Sequence, residues 1–163
     1  MLEIPNPIIL TLNEAKDKIN NEKNLGKKIV MTNGCFDLLH IGHISSLKYA
    51  KKQGDILIVA VNDDDSVRKL KGQPRPIIPL QYRLEMLSEL KVVDYVISFS
   101  EQNALSIINL LKPDIYVKGA DYNLLETPEG INVLNYGGKV LCSPLVPGVS
   151  TTSIINRIYN SFI

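Results

Sequence analysis

The sequence predicts a doubly wound α/β domain in which a five-stranded parallel sheet carries helices on both faces. Two observations predict it: short apolar runs rich in β-branched residues, and segments of helical spacing that alternate with them along the whole chain. Because the apolar runs are continuous, both faces of each strand are expected to be buried, as in a parallel sheet between two helical layers.

Five runs fit buried strands by length and composition. The second shows the pattern most plainly, since six apolar residues follow Asp55 without interruption. A run of this length is too short for a helix of ordinary size. The expected strands span 28–32, 55–61, 95–98, 114–118 and 139–141.

The segments between these strands carry apolar residues at intervals of three and four, which indicates helices with one buried face. Leu80, Leu84 and Leu87 are an example. Helices are expected from Thr11 or Asn13 to about Gly26, and over 41–50, around 66–67, 80–90, 105–111 and 150–158. The order α-β-α-β-α-α-β-α-β-α-β-α is that of a Rossmann-like fold with right-handed crossovers.

Length and composition limit the domain count and exclude several classes of protein. The 163 residues fit a single domain, 1–163, and 45% hydrophobic against 21% charged residues exclude a disordered chain. A net charge of +1 gives no broad basic surface, so no nucleic-acid partner is expected. Two cysteines give no disulfide framework. Without a signal peptide or an apolar run of about 20 residues, we expect a cytoplasmic protein with no membrane partner.

Both histidines of the chain lie just after the first expected strand. His40 and His43 flank the point where a helix is expected to begin, so both imidazoles would lie near free backbone N–H groups and the positive end of the helix dipole. Gly34 and Gly42 would let the backbone approach a phosphate closely. The spacing therefore predicts an anion site.

Three other interpretations of this segment stay open. The two histidines could be packed or exposed by chance, or they could be two ligands of a zinc ion, although no third ligand at a metal-binding spacing accompanies them. Cys35 could act as a nucleophile with His40, although nothing in the sequence supplies the third group that would orient the histidine.

The segment GCFDLLHIGH, which contains both histidines, resembles the signature of the HxGH nucleotidyltransferase superfamily in its cytidylyltransferase-like branch. The LKGQPRP, RPIIPLQYR, VVDYVISF, PDIYVKGADY and STTSII motifs resemble most closely the adenylyltransferases that activate heptose. The resemblance implies transfer of AMP from ATP to D-glycero-β-D-manno-heptose 1-phosphate, giving ADP-heptose and pyrophosphate for lipopolysaccharide. A cytidylyltransferase acting on glycerol 3-phosphate or another small phosphate is one alternative, and a non-catalytic nucleotide sensor is another.

The same resemblance assigns roles to individual residues. The residues expected to be catalytic are His40, His43, Lys71 and Arg83. Nucleotide contacts are expected from Asn33, Gly34, Cys35, Phe36, Gly42, Lys118, Gly119, Asp121, Ser150, Thr151 and Thr152. Acceptor contacts are expected from Asp37, Asp63 and Arg75. Mg²⁺ is expected to bind mainly through the ATP phosphates, and no residue is assigned as its ligand.

Several of these residues also have a plain structural interpretation. Asp37 could cap the turn before the helix, and the carboxylates of 63–65 could be the N-terminal charges of a helix or a metal cluster. Lys71 and Arg75 could be surface charges that favour solubility. One of the four hydroxyl residues at 150–153 would be enough to cap the last helix.

The expected partners are small molecules, ATP and a sugar 1-phosphate. The family further implies a homodimer, for which residues 80–93 are a candidate contact surface. Many relatives fuse this domain to a sugar kinase, so a separate sugar kinase is expected to supply the acceptor.

Overall fold

The computed structural model describes residues 8–119 and 123–162, and these form seven α-helices, one 3₁₀ helix and five strands. The elements in chain order are α1 (Leu12–Asn24), β1 (Ile29–Gly34), α2 (Ile41–Lys51), β2 (Ile56–Asn62), α3 (Asp64–Lys71), α4 (Leu80–Ser88), β3 (Tyr95–Phe99), α5 (Leu105–Leu111), β4 (Ile115–Gly119), the 3₁₀ helix (Leu124–Glu126), α6 (Pro128–Asn135), β5 (Lys139–Ser143) and α7 (Thr151–Phe162). This order is the predicted one, with the 3₁₀ helix added.

The strands form one sheet in the order β3-β2-β1-β4-β5, and each pairing is parallel. Within the described residues β1 is central: Thr32 pairs with Val59 of β2 on one side and with Val117 of β4 on the other. The predicted fold class, a doubly wound five-stranded parallel sheet, is confirmed. The chain winds outward from β1 to β3 and then returns to β4, so the winding direction reverses between β1 and β4. Ligands of such sheets bind at the carboxyl ends of the strands beside this reversal.

Two apolar clusters, one on each face of the sheet, explain the continuous hydrophobicity of the strands. Ile58 of β2 packs in the cluster that contains residues of α1, α5 and α6, whereas its neighbours Leu57 and Val59 pack in the cluster with α2 and α4. Successive strand residues point to opposite faces, so a strand covered on both sides needs an apolar residue at every position. Each such side chain contributes roughly 1.5–3 kcal/mol when fully buried.

The amino edge of the sheet, where the strands begin, is held by aspartates that immediately precede β2, β3 and β4. Each accepts a hydrogen bond of 2.7 Å from a backbone N–H of a neighbouring strand: Asp55 from Lys28, Asp94 from Leu57, and Asp114 from Ile29. Such charge-assisted hydrogen bonds are stronger than those between neutral groups. Acidic side chains therefore fix the alignment of adjacent strands at this edge.

The described helices include none that is long and apolar enough to cross a membrane, and α1, the longest, has 13 residues.

Candidate active site

A cavity of about 830 Å³ lies at the carboxyl ends of the strands. Most of the residues predicted to be functional line it: Asn33, Gly34, Cys35, Phe36, Asp37, His40, Gly42, His43, Lys71, Arg75, Lys118, Gly119, Ser150, Thr151 and Thr152. Arg83 and Asp63 are not part of this lining. Asp121 lies outside the described residues. Segments far apart in sequence thus meet at the carboxyl ends of the strands, where this type of fold is expected to bind a ligand.

The two histidines meet face to face at the start of α2. Their rings are nearly parallel, 20° apart, with centroids separated by 3.8 Å. His40 is the N-cap residue of α2, and its Nδ1 accepts a hydrogen bond from the backbone N–H of Gly42 at 3.1 Å. Because Nδ1 is an acceptor, the proton of neutral His40 is assigned to Nε2, which makes Nε2 a donor.

His43 is the more deeply buried of the pair. Its Nδ1 is shielded from solvent and has no hydrogen-bond partner among the described residues, so Nε2 is the nitrogen through which His43 would act. Burial and, to a smaller extent, the neighbouring His40 lower the pKa of His43 to about 4, while Asp37 opposes the change. Burial also lowers the pKa of His40. Both imidazoles are therefore neutral at pH 7 in the unliganded protein.

Backbone geometry around the histidines explains the glycine between them. A Cβ on Gly42 would lie 2.9 Å from two atoms of the His40 ring, closer than real contacts allow. Gly42 thus makes room for the His40 ring to fold back over the helix start. Phe36 and Leu38, in the loop before α2, each have φ of 49°, a left-handed conformation that costs a non-glycine residue about 1–3 kcal/mol. Such strain is concentrated at functional sites.

Asp37 is predicted to contact the acceptor, but its carboxylate bonds to other groups of the protein instead. Its buried carboxylate accepts hydrogen bonds from Arg75 Nε at 2.6 Å and from the backbone N–H groups of Ile77 and Ile78 at 2.9 Å. Burial alone would raise the pKa of Asp37, but these hydrogen bonds and the charge of Arg75 hold the pKa below its ordinary value. Asp37 therefore anchors the loop that follows α3 to the wall of the cavity.

Arg83 also has a different place from the one predicted. It is fully buried, although the resemblance assigns it a catalytic role. Its Nη1 donates to the backbone carbonyls of Cys35 and Asn62, its Nε donates to the carbonyl of Ile78, and its Nη2 donates to Asp64. With the guanidinium engaged by all of these acceptors, Arg83 supports the cavity wall from behind.

Asp63 likewise serves the local fold. It is the N-cap residue of α3, and its Oδ1 accepts a hydrogen bond from the backbone N–H of Ser66 at 2.7 Å. Satisfying a free N–H at a helix start stabilises the helix by about 1 kcal/mol. The structural interpretation of this acidic segment thus fits better than a contact to the acceptor.

The segment before α7 lines the cavity beside the loop that precedes α2. Ser150 and Ser153 bond reciprocally: each backbone N–H donates to the side chain of the other, at 2.9 and 3.0 Å. Thr151 donates from its hydroxyl to the backbone carbonyl of Asp37 at 2.7 Å. The start of α7 is thereby joined to the loop before α2, and two helix N-termini border one cavity.

Cationic side chains and the thiol of Cys35 also belong to the site. Lys71, Arg75 and Lys118 line the cavity, and Lys118 donates to the backbone carbonyl of Asn33 at 3.0 Å. Burial raises the pKa of Cys35 despite the nearby cations, so its thiol stays protonated at neutral pH. This disfavours Cys35 as a nucleophile.

No group of three or more His, Cys, Asp or Glu side chains able to hold a metal ion occurs within 8–119 and 123–162. Both carboxylate oxygens of Asp37 already accept hydrogen bonds. The residues around the histidines thus form no metal cage.

Some residues that line the cavity are not among those predicted from the sequence. Asn62 ends β2 and Gln102 follows β3, so the rule that ligands bind at carboxyl strand ends could have found both. Glu129, on the first turn of α6, also lines the cavity. Nothing in the local sequence marks Glu129, because its position depends on how α6 packs.

The fold and this site define a class of protein. A parallel α/β sheet with two helix N-termini, several cations and a neutral histidine pair around one cavity is suited to an enzyme that binds and reacts with the phosphates of a nucleotide.

Comparison with known proteins identifies the family. Residues 31–157 match the cytidylyltransferase-like family, to which the chain belongs. It is 48% identical over 148 residues to the bifunctional protein HldE of Geobacter metallireducens, covering 88% of this chain and 29% of the relative. The HldE of Pelobacter propionicus is 44% identical over 174 residues, covering 98% of this chain and 35% of the relative. The chain thus spans about a third of the length of these curated relatives.

Two solved structures are also similar. The lipopolysaccharide core biosynthesis protein of Thermoplasma volcanium matches with a TM-score of 0.60 and 36% identity, over 74% of this chain and 98% of that one. Pantoate-β-alanine ligase of Francisella tularensis, complexed with an ATP analogue and β-alanine, matches with a TM-score of 0.61 at 17% identity, over 95% of this chain and 78% of that one. The second likeness concerns the fold alone.

Proposed function

We propose that the protein transfers AMP from ATP to D-glycero-β-D-manno-heptose 1-phosphate, forming ADP-heptose and pyrophosphate. One observation carries the nucleotidyl transfer: the stacked pair of His40 and His43 at the N-terminus of α2, inside a cavity bordered by cations. The choice of substrates is supported by the resemblance of the sequence motifs to heptose adenylyltransferases, and by relatives named HldE and lipopolysaccharide core biosynthesis protein.

In the proposed reaction an oxygen of the acceptor phosphate attacks the α-phosphorus of ATP, and the bond from that phosphorus to the pyrophosphate oxygen breaks. No covalent bond to the protein is needed, so catalysis rests on positioning and on stabilising charge. His40 and His43 would donate hydrogen bonds from Nε2 to phosphate oxygens, where negative charge gathers in the transition state. The dipole of α2 adds to this stabilisation.

The leaving pyrophosphate would be held by the start of α7 and by nearby cations. The start of α7 offers backbone N–H groups and the hydroxyl of Thr152, and the exposed Lys71 offers an ammonium at the end of α3. Arg75 is held by Asp37 through Nε, which leaves the outer nitrogens of its guanidinium for phosphate. Mg²⁺, carried by the triphosphate oxygens, would supply further charge neutralisation.

The test is a matrix of pyrophosphate release. Four nucleoside triphosphates are each combined with heptose 1-phosphate, glycerol 3-phosphate, phosphocholine and FMN. We expect the highest kcat/KM with ATP and heptose 1-phosphate. A control in which both His40 and His43 are replaced by alanine should release no pyrophosphate. Release with CTP and glycerol 3-phosphate, but not with ATP and the heptose, would contradict the proposal and support the alternative cytidylyltransferase.

A homodimer and a separate sugar kinase stay predictions. Light scattering on the purified chain measures its mass in solution, and the formation of ADP from ATP and free heptose measures kinase activity. We expect twice the 18.2 kDa chain mass and no ADP.

A further inference from the structure

Two of the three residues predicted to contact the acceptor are engaged in structural contacts. Asp37 holds Arg75 and the loop after α3, and Asp63 caps α3. The hydroxyl groups of a sugar acceptor therefore need other partners. The cavity lining contains one further carboxylate, Glu129, among the described residues.

Glu129 belongs to a continuous part of the cavity wall, here named the acceptor arm, formed by Asn62, Gln102, Leu124, Thr127 and Glu129. Hydrogen bonds connect its members through the loop between β3 and α5. Asn62 Nδ2 donates to the carbonyl of Glu101 at 3.3 Å, and the backbone N–H of Ala104 donates to Glu129 Oε1 at 3.3 Å. Gln102 lies between these two contacts in sequence, so the end of β2, the loop after β3 and the start of α6 form one surface.

The chemistry of the acceptor arm differs from that of the wall beyond β5. The segment that follows β5 and lines the cavity contains Pro144, Leu145, Val146 and Pro147, which present apolar surface and backbone suited to a flat base. The acceptor arm instead presents a carboxylate and two amides.

The polar atoms still available in the acceptor arm include a carboxylate oxygen and amide groups. One oxygen of Glu129 bonds to Ala104, which leaves its second oxygen for a ligand. The amide nitrogen of Asn62 donates one of its two hydrogens to the carbonyl of Glu101, and its amide oxygen has no such partner among the described residues. The hydroxyl of Thr127 is fully engaged, donating to the carbonyl of Leu124 and accepting from the N–H of Gly130.

A carboxylate and amide groups without a cation suit a ligand with several hydroxyl groups, which both donate and accept, and the carboxylate repels phosphate. We infer that the acceptor arm binds the hydroxyl groups of the acceptor's carbon chain, with Glu129 as the residue that selects a polyhydroxylated sugar 1-phosphate over a shorter acceptor. The inference rests on the proposed function and deepens it. The phosphate of the acceptor would stay near the cations, and its carbon chain would extend toward α6.

The Glu129→Gln variant tests this assignment. Glutamine has the same shape and keeps an oxygen to accept from Ala104 N–H, so the fold of the arm is preserved. The matched control is Glu126→Gln, the same change three residues earlier on an exposed residue that does not line the cavity. Initial rates are measured with ATP and either heptose 1-phosphate or glycerol 3-phosphate.

For Glu129→Gln we expect the KM for heptose 1-phosphate to rise about tenfold, since a hydrogen bond to a charged group is stronger than one to a neutral group. The KM for ATP and the kcat/KM for glycerol 3-phosphate should stay within twofold, because the three-carbon acceptor does not reach Glu129. Glu126→Gln should match the unaltered protein in every parameter.

The outcomes separate the inference from the proposed function. An unaltered protein that turns over no sugar 1-phosphate overturns both. An unaltered protein that is active with the heptose, together with a Glu129→Gln variant whose KM for it is unchanged, overturns the acceptor arm alone. An equal loss with both acceptors also overturns it, since a general distortion does not discriminate between them.

Discussion

The two edges of the same sheet use their charged side chains differently. At the amino edge, Asp55, Asp94 and Asp114 bond to backbone N–H groups of adjacent strands. At the carboxyl edge the strands open into a cavity lined by Lys71, Lys118 and the histidine pair. The acidic edge aligns the strands, and the basic edge is available to a ligand.

Charge type alone therefore does not identify a functional residue. Asp37 and Arg83 lie at the carboxyl edge, yet both are buried and form hydrogen bonds to backbone groups of the protein. The aspartates of the amino edge do the same. A residue at the functional edge contributes to chemistry directly only if part of it faces the cavity. Variants at the two edges should therefore separate effects on stability from effects on catalysis.

The largest change in stability is expected from Arg83→Met. It leaves the carbonyls of Cys35 and Asn62 without their buried donor and removes the partner of Asp64, so unfolding should become easier by about 3–5 kcal/mol. Urea unfolding measures the difference. Arg68→Met is the matched control, since its ion pair with Asp65 is exposed and is worth less than about 1 kcal/mol. Equal losses of stability in the two variants would show that the buried hydrogen bonds of Arg83 contribute no more than an exposed ion pair.

The largest change in catalysis is expected from His43→Ala. Removing a donor at the point where charge gathers lowers kcat by about 10²–10³, while ATP affinity should stay within about tenfold. Steady-state rates and calorimetric titration with a non-hydrolysable ATP analogue measure the two quantities. Asp94→Ala, at the opposite edge, should keep the unaltered kcat. A His43→Ala variant with full turnover would remove the histidine pair from the mechanism.

The fold and the position of the histidine pair could be predicted from the sequence. Strands buried on both faces carry the continuous apolar pattern seen in 56–61, so the fold followed from local composition. The histidine pair was recognisable because His40 and His43 lie on either side of a glycine at the junction of a strand and a helix. Both signals are confined to short segments.

The roles of Asp37 and Arg83 could not be predicted in this way. Asp37 bonds to Arg75, 38 residues away, and Arg83 bonds to Cys35, 48 residues away. Whether such a charge faces the cavity or supports it from behind depends on tertiary packing, which residue type does not encode. The same reason hides Glu129, whose neighbour in space is Ala104.

A smaller effect is expected from pH. The unfolded chain protonates His43 near its ordinary pKa of 6.5, whereas burial lowers the pKa in the folded protein to about 4. Above pH 6.5 both states are neutral at this site, and as the pH falls from 6.5 toward 4 the unfolded state gains the proton first, so stability is lost. At pH 5 the loss from this histidine is about 2 kcal/mol.

Urea unfolding of the unaltered protein and of His43→Gln at pH 7 and pH 5 measures this contribution. The glutamine variant should lose less stability on acidification, because it lacks the group that the folded state keeps neutral. Identical losses in the two proteins would show that His43 takes up its proton as readily in the folded state as in the unfolded one.

The smallest effect is expected at the amino edge, from Asp94→Ala. The N–H of Leu57, a fully buried residue, would lose its acceptor, and Lys51 would lose its ion-pair partner, so the free energy of unfolding should fall by about 1–2 kcal/mol. Urea unfolding measures the fall, and Asp65→Ala, an exposed aspartate, is the control that should change stability by less than about 0.5 kcal/mol. Unchanged kcat and KM would show that the amino edge supports the sheet independently of the site. A fall in kcat would instead mean that strand alignment at this edge extends along β2 to Asn62, and so to the acceptor arm.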